Sequence, residues 1–102
     1  FLFYLAEAMA KGGVAAGFEA AQARRIVGHA LDAAARLLAE SGSQSEPRFD
    51  AATWRARVTS KKGTTQAAME CLDAEGVMAA AARAVVAGRD RGRELGKISG
   101  GV

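Results

Sequence analysis

Residues 23–38, ARRIVGHALDAAARLL, decide the fold class of this 102-residue chain. Their apolar side chains recur at steps of three and four, which is the spacing of one face of an α-helix. These apolar residues are Ala23, Ile26, Val27, Ala30, Leu31, Ala34, Leu37 and Leu38. The charged residues Asp32 and Arg36 lie away from that face. The spacing therefore predicts an amphipathic helix that begins near Glu19 and ends at the polar loop 41–47.

The remaining sequence contains further helical patterns and no strand pattern. Helices are predicted over residues 1–10, 50–58, 64–72 and 77–96. Gly12-Gly13 is expected to end the first of them, and Asp50 is expected to cap the third helix of the chain. No stretch alternates apolar and polar residues with the period of a half-buried strand. The sequence therefore predicts an all-α fold, a bundle of about five helices.

The last predicted helix favours self-association. Between Val77 and Ala87 its only charged residue is Arg83. A helix that is apolar on nearly all sides must be buried on nearly all sides, and a small domain has few other helices to pack around it. A second copy of the chain is the simplest cover, because symmetric dimers are the commonest assemblies. We therefore expect a homodimer; the alternative is that these alanines are tolerated at a surface.

Composition argues against several other classes of protein. The net charge is +3, but the basic residues are scattered rather than clustered, so a nucleic-acid partner is not expected. The apolar N-terminal run is too short to span a bilayer, which needs about 20 residues, and no membrane partner is expected. Cys71 is the single cysteine and cannot form an internal disulfide, which fits a cytoplasmic location. It lies on the apolar face of its predicted helix and is expected to be buried. His29, the single histidine, cannot build a metal site alone, so no metal is expected.

The segment 58–65, VTSKKGTT, is the candidate for chemistry. It places hydroxyl groups, a glycine and two lysines directly before a predicted helix, whose first N–H groups lack partners and favour an anion. A substrate carboxylate would suit such a loop, and Ser60, Thr64 and Thr65 could add hydroxyl hydrogen bonds. The alternative is an ordinary helix start, with Thr64 as the N-cap and the lysines in solvent.

This segment also resembles the signature of pyrroline-5-carboxylate reductases, which reads Val-Thr-Ser, then Pro or Lys, then Gly-Gly-Thr-Thr. Three flanking stretches are similar to the same family and occur in the same order. They are 3–9 with the following Gly13-Val14 turn, 34–42, and 93–97. The resemblance thus covers nearly the whole chain and identifies it with the C-terminal dimerisation domain of that family.

The resemblance implies a function and a set of site residues. In that family a Rossmann domain holds NAD(P)H, a helical domain interlocks with a second subunit, and the imine substrate is reduced to proline between the two halves. Its helical fold is that of the 6-phosphogluconate dehydrogenase C-terminal-like domain. By position, Ser60, Gly63 and Thr64 match the carboxylate loop. Thr65 matches the hydroxyl that hydrogen-bonds the ring nitrogen, which makes it the expected catalytic residue.

Lys62 departs from the family pattern, which has glycine at this position. If the position needs a positive φ, lysine costs about 1 kcal/mol or more, and the loop could shift. Lys62 could instead add a positive charge for the substrate carboxylate. Both interpretations stay open on the sequence alone.

The dinucleotide-binding half is expected to lie outside residues 1–102. The chain begins with Phe1 inside a predicted helix and has no Gly-x-Gly-x-x-Gly motif. We therefore expect one C-terminal dimerisation and substrate-loop domain that binds no cofactor and is inactive alone. The dimer could assemble further, and it would bind the imine carboxylate or proline. The alternative is a free-standing helical interaction module that has lost the reductase chemistry.

Overall fold

The fold is all-α, as the sequence predicts. A computed structural model describes residues 1–42 and 50–98, with side chains for 1–40 and 50–97, and within this part no strand occurs. The helices are α1 (Leu2–Ala15), α2 (Ala20–Gly42), α3 (Ala51–Val58), α4 (Thr64–Ala74) and α5 (Val77–Ile98). Most of the predicted loop 41–47 lies outside the described residues. None of the described helices is long and apolar enough to cross a membrane.

The chain divides into two compact units, Phe1–Arg55 and Ala56–Val102. In the first unit, α1 packs against α2. Ala23 and Val27, from the predicted apolar face of α2, are the buried residues among the described side chains, at 2% and 8% exposure. In the second unit, α4 packs against α5. Each unit is therefore a helix pair with little core of its own.

Glycine lets α1 and α2 approach closely. A Cβ atom built on Gly13 would lie 3.0 Å from the Cβ atom of Ala23, whereas one built on Gly12 would meet no atom within 4 Å. Because α2 presents only an alanine methyl at this point, the two backbones can come together without a gap. Small residues on both helices therefore replace the large side chains that fill an ordinary core.

The first helix is longer than predicted. Gly12-Gly13 does not end α1, which continues to Ala15. The chain turns away from the helix axis two residues later, at Gly17, whose φ of 113° suits glycine alone. The N–H of Gly17 donates to the oxygen of Val14 at 3.0 Å, and the N–H of Phe18 donates to the oxygen of Gly13 at 3.0 Å. This is the Schellman pattern of a helix C-terminus, so Gly17 has the role that was expected of the glycine pair.

The predicted N-cap of α3 is confirmed. One carboxylate oxygen of Asp50 accepts hydrogen bonds from the backbone N–H and the hydroxyl of Thr53, each at 2.9 Å. These bonds stabilise the charged form of the carboxylate. They therefore hold the pKa of Asp50 below its usual value, with the backbone N–H of Thr53 as the largest cause.

The apolar surface of both units is largely uncovered. No described side chain of α5 is buried, and Met78 and Val85 are 63% and 62% exposed. At the start of α1, Phe3 is 91% exposed. A groove of about 450 Å³ between α1 and α2 is lined mainly by apolar groups, including Ala10 and Val27. Apolar surface of this extent is typical of a chain that associates with a partner.

Gly12 and Gly13 give a matched pair of tests for the close approach of α1 and α2. Alanine is favoured over glycine inside a helix by about 1 kcal/mol, so Gly12→Ala should raise the free energy of unfolding by about that amount. Gly13→Ala adds a methyl group against Ala23. The overlap should leave the free energy of unfolding of this variant about 1–3 kcal/mol below that of Gly12→Ala. Urea denaturation at one protein concentration measures both. Equal stabilisation by the two substitutions would contradict the close contact.

The cap of α3 predicts a pH-dependent stability. The pKa of Asp50 is lowered in the folded chain. Its contribution to stability is therefore fully present above the pKa of about 3.9 that the side chain has in the unfolded chain. That contribution is lost as pH falls through the lower folded value. Asp50→Ala should therefore destabilise the chain at neutral pH, and the difference from the unsubstituted chain should shrink in acid. Urea denaturation at several pH values measures this, with Asp50→Asn as a control that keeps an acceptor oxygen. A difference that stays constant into acid would refute the assignment.

Candidate functional site

The segment that the sequence singles out forms the connection between α3 and α4. It lies wholly within the second unit, where residues 59–63 join Val58 to Thr64. The N–H of Gly63 donates to the carbonyl oxygen of Ser60 at 3.2 Å and closes a four-residue turn. Lys61 and Lys62 are the two central residues of this turn. All the predicted site residues therefore lie in one turn and the first helical turn that follows it.

Lys62 occupies a left-handed backbone conformation. Its φ is 59°, the only positive φ of a non-glycine residue in the described part of the chain. A positive φ confined to the third position of a turn is the type II pattern, which favours glycine or asparagine there. A lysine at this position therefore carries the steric cost of a positive φ, about 1 kcal/mol or more.

Gly63 is required for space and not for its backbone angle. Its φ is −89° and its ψ is 180°, which any residue can adopt. A Cβ atom at this position would lie only 2.5 Å from the hydroxyl oxygen of Ser60. The Ser60 hydroxyl therefore lies directly over the backbone of Gly63, and a side chain at position 63 would displace it.

The N-terminus of α4 has no side-chain cap. Gly63 is the N-cap residue, and Thr64 is the first helical residue. The alternative in which Thr64 caps the helix is therefore wrong. The intrahelical ladder begins with the N–H of Ala67, which donates to Gly63 at 3.2 Å. Helix geometry leaves the preceding N–H groups, those of Thr64, Thr65 and Gln66, without intrahelical acceptors.

Exposure differs among the predicted site residues. Ser60, Lys62 and Thr64 are exposed, whereas Gly63 and Thr65 are half-buried. Within the described residues, neither Lys61 nor Lys62 forms an ion pair. The lysines thus add positive charge to a helix end that is already positive through its aligned peptide dipoles. Such an arrangement can bind a carboxylate and present hydroxyl donors beside it.

Sequence reasoning missed one residue of this region. Gln66 accepts a hydrogen bond from the backbone N–H of Lys62 through its amide oxygen. In a capping box the side chain at the third helical position accepts the N–H of the N-cap residue, but Gln66 instead accepts the N–H of Lys62, one residue before the N-cap Gly63, so no capping-box pattern marked it. Sequence reasoning also placed Cys71 in a buried position, but Cys71 is exposed in the single chain. Across residues 1–42 and 50–98, no group of three His, Cys, Asp or Glu side chains could hold a metal ion.

The fold and the loop together define a class: an all-α domain that leaves apolar helix faces uncovered and presents a loop suited to an anion. Residues 1–95 match a family model that is described as pyrroline-5-carboxylate reductase dimerisation. The chain belongs to this family. The resemblance read from the sequence is therefore confirmed.

Curated relatives agree with the family assignment. A pyrroline-5-carboxylate reductase of Corynebacterium melassecola is 37% identical over 97 residues, which are 95% of this chain and 34% of that protein. Pyrroline-5-carboxylate reductase 3 of Danio rerio is 38% identical over 96 residues, 94% of this chain and 31% of that protein. A pyrroline-5-carboxylate reductase of Methanosarcina acetivorans is 33% identical over 97 residues. The chain spans about a third of the length of these relatives. No solved structure matches it significantly.

The left-handed conformation of Lys62 predicts a stabilising substitution. Glycine adopts this conformation without the steric cost that a Cβ atom brings, so Lys62→Gly should raise the free energy of unfolding by about 1 kcal/mol. Lys62→Ala is the control, since it removes the charge but keeps the Cβ atom. It should change stability by less than about 0.5 kcal/mol. Urea denaturation measures both, and a Lys62→Gly variant no more stable than Lys62→Ala would contradict the assigned conformation.

Proposed function

We propose that this chain is the dimerisation and substrate-loop domain of a pyrroline-5-carboxylate reductase, which reduces 1-pyrroline-5-carboxylate to L-proline with NAD(P)H. One observation carries the proposal: the uncapped start of α4, preceded by a tight turn that holds Ser60 over Gly63. The family assignment supports it, because residues 1–95 match the family in order and include this loop.

The substrate carboxylate would bind at the N-terminus of α4. The unpaired N–H groups of the first helical turn point toward an anion there, and the helix dipole favours negative charge. The exposed hydroxyls of Ser60 and Thr64 can donate hydrogen bonds to the same carboxylate, and the Lys62 ammonium adds charge. Gly63 contributes by having no side chain, since any Cβ atom would push the Ser60 hydroxyl away.

Thr65 is the proposed catalytic residue. It follows Thr64 in the first turn of α4 and is half-buried, whereas Thr64 is exposed. A substrate held by its carboxylate at the helix end would bring its ring nitrogen near this hydroxyl. A hydrogen bond from Thr65 to the nitrogen would orient and polarise the C=N bond.

These 102 residues contain no Gly-x-Gly-x-x-Gly motif, so they do not offer the dinucleotide-binding loop of a Rossmann domain. NAD(P)H would supply the hydride for the imine carbon, and a separate Rossmann domain would hold it. The chain's own contribution is to bind and orient the imine carboxylate. We therefore propose that residues 1–102 act as one domain of a larger enzyme and have no reductase activity alone.

A second copy of the chain is the proposed partner. The apolar side chains of α5 and the groove between α1 and α2 are uncovered in the single chain. The family description names dimerisation, which supports a homodimer whose helices interlock. We also propose a cytoplasmic location, which the single cysteine of these residues supports.

Removal of the Thr65 hydroxyl tests the proposed function. In the reductase that carries this chain, Thr65→Val should lower kcat/KM for 1-pyrroline-5-carboxylate about tenfold to hundredfold. This is the effect of losing a hydrogen bond of about 1.5–3 kcal/mol to a group that gains charge. The oxidation of NAD(P)H, followed by absorbance, measures the rate.

Thr65→Ser is the matched control because it keeps the hydroxyl and loses only a methyl group. The kcat/KM of this variant should stay within about threefold of that of the unsubstituted enzyme, a loss of well under 1 kcal/mol in transition-state stabilisation. Equal losses for Thr65→Val and Thr65→Ser would remove Thr65 from the chemistry. A full-length unsubstituted protein that forms dimers but shows no reductase activity would favour the free-standing interaction module instead.

A further inference from the structure

Gln66 joins the loop to the helix that follows it. It occupies the third helical position of α4 and is half-buried. Its amide oxygen accepts the backbone N–H of Lys62, and its amide nitrogen donates to a carboxylate oxygen of Glu70 at 3.2 Å. The amide therefore bridges the turn before α4 and the second turn of α4.

Glu70 determines which end of the amide faces the loop. An ionised carboxylate only accepts hydrogen bonds, so it draws the NH₂ group of Gln66 toward itself. The oxygen of the same amide is then directed at the N–H of Lys62. Residues four apart lie on the same face of a helix, which keeps Glu70 within reach of Gln66.

Lys62 needs such a contact more than a glycine would. Its φ of 59° is sterically disfavoured for a residue with a Cβ atom. Glycine, the residue that the family signature has here, adopts this angle freely. The hydrogen bond from the Lys62 N–H to Gln66 is available only while the turn keeps its present geometry, so it favours the left-handed conformation.

The geometry of the proposed carboxylate loop depends on this conformation. Lys62 is the third residue of the turn that the 3.2 Å hydrogen bond from Gly63 to Ser60 closes. At Gly63 the Ser60 hydroxyl takes up the space of a side chain, because it lies 2.5 Å from where a Cβ atom of Gly63 would be. A change of φ at Lys62 would rotate Gly63 relative to Ser60 and redirect the chain as it enters α4.

We propose that Gln66 is a positioning residue for substrate binding. It holds Lys62 in the left-handed conformation and thereby keeps Ser60 and Gly63 in place for the substrate carboxylate. Gln66 acts through the loop backbone, and Glu70 orients its amide. The inference rests on the proposed reductase function, because the loop is taken to bind the imine carboxylate.

The test is a cycle of variants in the full-length reductase that carries this chain. Gln66→Met keeps the length of the side chain and removes the strong acceptor. We expect it to raise KM for 1-pyrroline-5-carboxylate about threefold to tenfold, the effect of one ordinary hydrogen bond, while kcat stays within about twofold. In a Lys62→Gly background the same substitution should change KM by less than about twofold, because glycine needs no such support.

A charge-preserving exchange supplies the rescue. Gln66→Glu combined with Glu70→Gln keeps an acceptor oxygen beside the Lys62 N–H and a donor amide beside that carboxylate. This double variant should return KM to within about twofold of the unsubstituted enzyme.

Two results would overturn the inference while leaving the proposed function intact. One is an unchanged KM for Gln66→Met in the Lys62 enzyme. The other is an equal rise of KM in the Lys62 and Lys62→Gly backgrounds, which would indicate a general effect on α4. An unsubstituted enzyme without reductase activity would instead overturn the proposed function itself, and this inference with it.

Discussion

The structure depends on a shortage of large apolar side chains inside each unit. Aromatic residues make up 6% of the chain, and the apolar content is rich in alanine. Helices built from such residues can approach closely, as α1 and α2 do where Gly13 faces Ala23, but they bury little area when they do so. The small contact surfaces leave the faces of α1, α2 and α5 uncovered. A partner that covers them would complete the core.

The candidate site depends on backbone geometry, to which Lys61 and Lys62 add positive charge. The tight turn at 60–63 sets the direction of the chain into α4, and the helix start then offers N–H groups and hydroxyls together. This arrangement suits a substrate that must be held by a carboxylate and oriented for hydride transfer. The inference about Gln66 concerns the same backbone geometry, since its amide oxygen accepts the N–H of Lys62, the residue with a positive φ.

Much of this architecture follows from the sequence, because helices with a clear apolar spacing or a polar cap are locally determined. The predicted face of α2 contains Ala23 and Val27, the buried residues among the described side chains, and Asp50 caps α3 as expected. The errors concern properties that depend on packing. Gly12-Gly13 stays helical, with Gly13 packed against Ala23 of α2, and Cys71 is exposed because α4 is little covered within one chain. The hydrogen bond from Lys62 to Gln66 could not be predicted from the sequence, because it depends on the backbone angle φ of Lys62.

The solution mass of the chain tests the central claim most directly. Light scattering over a dilution series distinguishes one 10.5 kDa chain from two. A mass of two chains that persists to low micromolar concentration is expected, since the uncovered faces of α1, α2 and α5 need a partner. A stable monomer over the same range would contradict that expectation, because these apolar faces would then be tolerated in water.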